Sequence, residues 1–549
     1  MGDKKEGPDI GSEHSLLVGA GILFLCMAIQ KVHTWFSHWI KSAGHQLLLA
    51  IVVGAFLSWL AYWASCKRKL ALKKREREAA VIGPGESSVF CGKTDEKQMV
   101  FIKPGQRTMH TQVIGTTNAG KTESVILPWA IQDIQQGRGL LLIDGKADRS
   151  LVDKLWAYTV AAGREKDFRL FSLSNTEESQ TFNPLIGGTA EEITERIFNA
   201  FIFENPFYRS VQYEVLAQVL RIYEAAAVVP TFLKLHQAIS NPKLLEKMVA
   251  DCKDETLVHW VSYFRNLSGT ERDQRTSGLT SQISHFAFGK TAPLFNADKP
   301  SITIDEALME GRIVYFQLPV LLSPFLGGAT GKLVLQSLQA AVGNRHRSEN
   351  KRKKFYSVFL DDFSEYLYPG FVTVLNKSRS ANVGIVFAHQ ALGDIKAMGD
   401  AVANAILTNS NIKIFMRGND PDSAEYFSKV IGTTKTTKHT ERRKISFWNE
   451  QKTGDVSARE VEEFIVHPNH FKKELGIGQA VMVVPHEDGT RAVKIKFDMF
   501  PHVEAKPMPK VVHEKPIMLS VPVDLNENKL STEEALLEAL KNHNKKECA

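Results

Sequence analysis

Residues 115–122 read GTTNAGKT, and this stretch decides the fold. It fits G-x-x-x-x-G-K-[ST], the loop that cradles the phosphates of a nucleoside triphosphate. Glycines let backbone N–H groups approach the phosphates, the lysine reaches the β- and γ-phosphates, and the hydroxyl meets magnesium. Gly115, Thr116, Thr117, Asn118, Ala119 and Gly120 form the expected cradle, with Lys121 on the phosphates and Thr122 on Mg²⁺. The alternative is a glycine-rich turn that binds nothing. The apolar run Gln112–Ile114 before the loop and the helix-like stretch after it weigh against that. The helix contains Pro128, which predicts a kink.

Working outward, further apolar runs end in polar residues. GLLLIDGKAD (139–148), IVYFQLP (313–319), FYSVFLDD (355–362) and ANVGIVFAHQ (381–390) read as buried strands. Buried strands separated by helices predict an α/β sheet. A P-loop needs a partner strand ending in an aspartate for the magnesium shell. Asp361 stands in that place, and Asp362 follows it as a candidate catalytic base, one methylene shorter than a glutamate. Asp144 and Asp148 end another strand, as site acids or as core-edge charges. Arg379 precedes a buried strand and Gln390 follows it. An arginine can stabilise transition-state charge, and a polar strand end can sense the γ-phosphate; by spacing alone, each is equally well surface decoration. His389 reads as packing and HPNH (467–470) as a loop. No Ser-His-Asp elbow, metalloprotease motif or internal repeat is present.

Between about 186 and 299 strand-like runs are scarce. Thr189 and Glu192 form a capping box before Ile193, Ile197, Phe198 and Phe201, and Val215, Leu216, Val219, Leu220 and Tyr223 repeat the helical spacing. We expect an inserted all-helical domain here. After Phe500 the chain turns proline-rich and polar, which predicts a linker, and ends in a short helix capped by Ser531 with Glu534. Two basic clusters, RHRSENKRKK (345–354) and KTTKHTERRK (435–444), are either phosphate-backbone contacts or solvated loops.

At 549 residues the chain is too long for one ordinary domain, and its 43% hydrophobic and 23% charged content is that of a globular protein. A net charge of +7 leans only weakly toward anionic partners. The 5 cysteines are scattered without a C-x-x-C, which argues for a reducing compartment and against a zinc module or disulfide framework. Two apolar segments near the N-terminus, about 15–32 and 47–64, approach the roughly 17–25 residues a membrane span needs. A signal peptide is the alternative for the first, but no clear cleavage site follows it. Trp35, Trp39 and Trp63 lie near the expected membrane edges. The basic run with Lys67, Arg68, Lys69, Lys73, Lys74, Arg75 and Arg77 places that end in the cytoplasm. The expectation is a multi-pass anchor with two spans and the bulk of the chain cytoplasmic.

Taken in order, the two-span N-terminus, GTTNAGKT, LLIDGKAD, FNPL (182–185), the helical insertion, FLDDFSEY, SRSANVGIVFAHQ and GQAVMVV (478–484) resemble the TraD/TraG-like coupling ATPases of type IV secretion and conjugation. The resemblance implies a RecA-like ATPase using ATP and Mg²⁺, assembled as a homo-hexamer at the bacterial inner membrane. It implies recruitment of a DNA–relaxase complex or effector proteins and delivery to the secretion channel; a motor moving DNA of arbitrary sequence must then grip the phosphate backbone, since base contacts would stall it. Lys121, Thr122 and Asp361 then take nucleotide and magnesium, and Arg379 and Gln390 match the family's arginine and glutamine around the sensor strand. Two departures stand out: Asp362 replaces the usual glutamate, and the family's arginine before the P-loop has no aligned equivalent, Arg107 being offset. The expected organisation is a membrane anchor (1–75), a RecA-like ATPase domain in two parts (76–185 and 300–500), the all-α insertion (186–299), and a linker and tail (501–549). The rival readings are a nucleotide-dependent receptor or scaffold for protein export and an FtsK/HerA-like DNA translocase.

Overall fold

The computed structural model describes residues 88–519, except 251, 349–352, 447–448 and 487–488, together with 27, 29, 31, 32, 53–65 and 67. The chain divides into two units, Met1–Val81 and Ile82–Ala549. In the first, 53–65 is helical, with Phe56, Leu57, Trp59 and Trp63 exposed. Among the described residues no helix is long and apolar enough to cross a membrane. Most of both expected spans, and the Ser531 helix, lie outside the described residues.

The second unit is built on a sheet whose strands, in chain order, are β1 (Val89–Thr94), β2 (Met99–Ile102), β3 (Thr111–Ile114), β4 (Gly139–Asp144), β5 (Phe168–Ser172), β6 (Ile313–Gln317), β7 (Tyr356–Asp361), β8 (Val383–His389), β9 (Ile412–Met416), β12 (Gln479–His486) and β13 (Gly489–Phe497). Among the described residues β10 (Thr433–Ser446) and β11 (Asn449–Phe464) form a separate antiparallel hairpin. The order across the sheet is β2-β1-β13-β12-β9-β3-β8-β7-β4-β6-β5. From β9 to β5 the strands run parallel; β12, β13, β1 and β2 extend the sheet antiparallel. The parallel strands β3, β4, β6, β7 and β8 are buried along almost their whole length, which is why they read as apolar runs rather than alternations.

Pro128 stands where two helix types join. A π-turn at Thr122–Ile126 leads into Leu127–Gln135, which begins with Pro128 in its first turn, where a missing N–H is harmless. Between β5 and β6 the described chain forms helices joined by loops, and its one β pairing there is the isolated bridge Phe182 to Ile302. The Ala190–Ala200 helix starts at the expected capping box, Thr189 Oγ1 accepting from the Glu192 N–H at 3.3 Å while Glu192 Oε2 accepts from the Thr189 N–H at 3.2 Å. Ile193, Ile197, Phe198, Val215, Leu216, Val219, Leu220 and Tyr223 are buried in one apolar core with Leu141, Phe316 and Leu360 of the sheet. The insertion is therefore fused to one face of the ATPase sheet rather than hung from it.

Residues 501–519, expected as a linker, carry no regular structure but lie fastened to the body. Tyr158 hydroxyl donates to the Pro501 carbonyl and Trp156 Nε1 to that of Lys506, each at 2.7 Å, and the Val511 N–H donates to Glu177 O at 2.8 Å. Met508 is buried in the core on the other face of the sheet. Proline-rich chain without helix or strand periodicity is the same in sequence whether it is free or strapped down. The basic cluster at 435–444 is likewise not a loop but strand β10. Its register sets Lys435 opposite Glu462, and Lys438 pairs with Glu463.

Arg107 is almost fully buried, its guanidinium donating to both oxygens of Asp133 at 2.7 Å and to Ser357 Oγ at 3.0 Å, between the rings of Trp129 and Phe355. It is a structural ion pair within its own subunit. Removing Arg107 leaves the buried Asp133 with the longer Arg138 bond (3.1 Å) as its remaining ion pair, so Arg107→Met should lower unfolding stability by about 3 kcal/mol. Urea titration checks this, and adding Asp133→Leu should restore much of the loss, whereas unaltered stability in the single variant would contradict the assignment.

Candidate functional site

The parallel strands bring their C-terminal ends to one edge, where open α/β sheets bind ligands. β3 runs into the loop 115–122 there, and β8 lies between β3 and the acid-bearing β7. In register, Ile114 pairs with His389 and Asp144 with Asp361. Thus Lys121, Thr122, Asp144, Asp361, Asp362 and Gln390 all stand at the same edge.

The loop has the conformation its sequence requires. Asn118 (φ 64°) and Gly120 (φ 96°) are left-handed, and a Cβ on Gly120 would lie 2.8 Å from Ser124 Oγ. At Gly115 a Cβ would meet the Met416 Cβ at 2.9 Å. Behind the loop, the Gly478 N–H donates to Ala119 O at 3.1 Å and the Thr116 N–H to Arg417 O at 2.9 Å. Lys121 Nζ donates to the carbonyls of Gly115 (2.7 Å) and Thr116 (3.3 Å), so its ammonium lies over the loop's mouth. Burial lowers its pKa, opposed by the charge of Asp361. Thr122 Oγ1 donates to Asp361 Oδ2 at 2.6 Å, which joins the two expected magnesium residues directly.

Three buried carboxylates, Asp144, Asp361 and Asp362, present oxygens within 4.8 Å of one another. Burial raises the pKa of Asp361, and the neighbouring Asp362 adds to it. Burial and then Asp361 push Asp144 up to about 7. A hydroxyl and clustered carboxylates are the hard oxygen donors that Mg²⁺ favours, and a divalent cation would relieve their mutual repulsion. The residues present therefore fit a magnesium–triphosphate ligand. Asp362 sits in a left-handed conformation (φ 48°), and its Oδ2 lies 3.0 Å from Lys146 Nζ. Sequence reasoning weighed Asp144 and Asp148 in the DGKAD motif but passed over Lys146. The legible signal was a cation two residues beyond a strand-end acid. Asp148 turns out to cap the helix Arg149–Ala161, accepting from the Ser150 N–H at 2.8 Å.

Gln390 and Arg379 part company. Gln390 follows β8 and faces the loop, with Thr117 Oγ1 3.5 Å from its Oε1. Arg379 is exposed at the other end of the same strand, which at about 3.3 Å per residue puts it roughly 20 Å from the phosphate edge. One chain cannot bring Arg379 to its own Lys121. The described residues of the basic cluster, 345–348 and 353–354, are at that same far end, since Lys354 lies just before β7; Arg345 is buried and donates to Lys354 O.

His389 is a structural residue. The Gln112 amide nitrogen lies 2.9 Å from its Nε2, its Nδ1 is 2.8 Å from Ala391 O, and Lys413 Nζ donates to Gln112 Oε1 at 3.2 Å. His110 is held similarly, accepting from the Ile385 N–H at Nδ1 (3.2 Å), with Nε2 2.8 Å from Leu375 O. Burial pushes both imidazoles down to about 4. The unfolded chain takes up their protons near pH 6.5, so stability is lost as pH falls from about 6.5 to 4, at up to ~1.4 kcal/mol per pH unit and histidine. Asp144, with its raised value, acts in the opposite sense between about 7 and 4. The variant His110→Gln should therefore lose about 2 kcal/mol less stability than the parent between pH 7.5 and 5. Urea midpoints at the two pH values measure it; equal losses would contradict a neutral, buried His110.

Fold and site together define a large α/β sheet of the P-loop ATPase class, with an additional strand between loop and acids. Comparison with known proteins then narrows the class. The family model described as the TraM recognition site of TraD and TraG matches residues 356–473. The type 4 coupling protein DotL of Legionella pneumophila is 25% identical over 408 residues, covering 63% of this chain and 52% of DotL. The chain thus spans about half the length of that curated relative. Among solved structures, the bacterial conjugative coupling protein TrwB (TrwBdeltaN70) superposes with a TM-score of 0.56 at 12% identity, covering 78% of this chain and 92% of that one. TrwB bound to the non-hydrolysable GTP analogue GDPNP gives 0.54 at 13% identity, over 74% and 89%, and TrwB with ADP and Mg²⁺ gives 0.52 at 13%, over 73% and 88%. At these identities the likeness to TrwB is one of fold. All three comparisons agree on the coupling proteins of type IV secretion and conjugation, the family that the sequence resembles.

Proposed function

We propose that this chain is the coupling ATPase of a conjugative or type IV secretion system, anchored in the inner membrane, which hydrolyses ATP to drive a DNA–relaxase or protein substrate toward the secretion channel. The observation that carries the reading is the convergence of Lys121, Thr122, Asp361, Asp362 and Gln390 on one sheet edge. In this reading Lys121 and the loop amides hold the β- and γ-phosphates, and Thr122 and Asp361 hold Mg²⁺, which supplies charge neutralisation. Asp362 orients the attacking water and accepts its proton as the bond to ADP breaks, and Gln390 contacts the γ-phosphate. Arg379 serves the site of a neighbouring subunit, which its exposure and its place on the opposite edge support; this favours a ring, taken as a hexamer from the resemblance. The anchor reading rests on the uncharged run 47–64, whose described part exposes apolar side chains. The matched segment 356–473 is where a relaxosome component of the TraM kind would dock.

DNA enters as cargo gripped through phosphates. Arg347, exposed at the end of the Pro324–Arg347 helix, is a better contact than Lys435 or Lys438, which face glutamates. ATP turnover by the fragment 82–549, with and without DNA, tests the proposal. Mg²⁺-dependent turnover that rises with DNA supports a DNA motor; turnover indifferent to DNA points to protein cargo.

A further inference from the structure

The turn after β4 carries a cation for which P-loop chemistry has no assigned part. The Asp144 carboxylate ties this turn together, accepting from the N–H groups of Lys146 (2.9 Å) and Asp148 (2.7 Å) and from the Tyr315 hydroxyl (3.0 Å). Ala147 takes the left-handed conformation (φ 59°) that the turn requires. From the β6 side, the Leu318 N–H donates to Asp144 O (2.9 Å), the Val320 N–H to Gly145 O (3.2 Å) and Gln317 Nε2 to Ala147 O (3.2 Å). Gly145 faces Asp362 at ordinary packing distance: a Cβ there would stand 3.4 Å from the Asp362 Cβ. The backbone beneath Lys146 is therefore fixed, while its side chain, 53% exposed, is free to swing.

What the lysine touches is informative. Its Nζ is 3.0 Å from Asp362 Oδ2, yet that buried oxygen accepts no well-directed hydrogen bond. The contact is close but misaligned, and a half-exposed ion pair of this kind contributes only about 0–1 kcal/mol. A terminal phosphate at the loop would offer the same ammonium more charge and more acceptor oxygens. A lysine suits such a transfer, being a compact charge on a flexible stem.

We propose that Lys146 is a γ-phosphate-reading residue that also governs Asp362. With a diphosphate in the loop, Lys146 stays on Asp362 and occupies the oxygen needed for water. With a triphosphate, it moves onto the γ-phosphate oxygens and frees Asp362 to hold the attacking water. This inference rests on the ATPase reading above and adds to it the residue that separates ATP from ADP.

The test is competition against a fluorescent nucleotide on the full chain, using Mg²⁺-ADP and a Mg²⁺-bound non-hydrolysable ATP analogue. In Lys146→Met, which keeps the stem, the preference for triphosphate over diphosphate should drop at least about tenfold, with ADP affinity nearly unchanged. Lys146→Arg should retain part of that preference. Asp362→Asn removes the competing charge, so its preference should equal or exceed the parent's. An unchanged ratio in Lys146→Met, an equal loss of both affinities, or a reduced ratio in Asp362→Asn would each overturn the proposal. Should the parent chain bind neither nucleotide, the ATPase reading itself fails.

Discussion

Lys121→Ala should reduce triphosphate affinity and ATP turnover by at least about 100-fold, because it removes a buried ammonium from the phosphates in a partly desolvated site. The fold should survive. Lys121 makes hydrogen bonds only to carbonyls of its own loop, and the loop is independently held by the Gly478–Ala119 and Thr116–Arg417 backbone bonds. Nucleotide titration and steady-state phosphate release, with the urea midpoint as a control for folding, read both halves. Substrate transfer should vanish with turnover, and normal transfer by this variant would end the motor reading.

The second large effect concerns Arg379. If it completes a neighbour's site, Arg379→Ala should bind nucleotide as the parent does, since nothing at its own phosphate edge has changed. Turnover should nevertheless fall by about 10³-fold or more, the range associated with an arginine supplied in trans. The geometry adds a sharper expectation. A ring mixing Arg379→Ala with Lys121→Ala subunits contains interfaces with an intact loop on one side and an intact arginine on the other. Such mixtures should recover turnover that neither variant has alone. Absence of recovery, with mixed assembly confirmed by differently tagged subunits, would contradict action across an interface and return Arg379 to the surface.

Much of the nucleotide edge was legible because its chemistry is local. The P-loop needs glycines, a lysine and a threonine within eight residues, and a fully buried parallel strand leaves a continuous apolar run before its terminal acid, as in β7 with Asp361. The helical insertion was legible from periodicity and the Thr189–Glu192 box. Less local features were hidden. Strand β9 was missed because Lys413 interrupts its apolar run; the lysine is buried, donating to Leu407 O (2.7 Å) and Gln112 rather than to solvent. The β10–β11 hairpin was missed because its threonines, lysines and glutamates alternate without an apolar face. Cross-strand charge pairs such as Lys438 with Glu463 accompany a register that hydrophobicity does not mark. The opposite placements of Gln390 and Arg379 follow from strand direction, which spacing in sequence cannot convey. Lys146 was passed over because its partner, Asp362, is 216 positions away and meets it only through the β4–β7 register.

The claim that the edge formed by β3, β7 and β8 is a working ATPase centre is tested most directly by Mg²⁺-dependent phosphate release from the full chain in lipid vesicles, measured beside Lys121→Ala with and without DNA. Turnover in the parent should disappear when Mg²⁺ is withheld, be absent in Lys121→Ala, and rise when DNA is added at low salt. Phosphate release no higher in the parent than in Lys121→Ala, with DNA present and Mg²⁺ in excess, would contradict it.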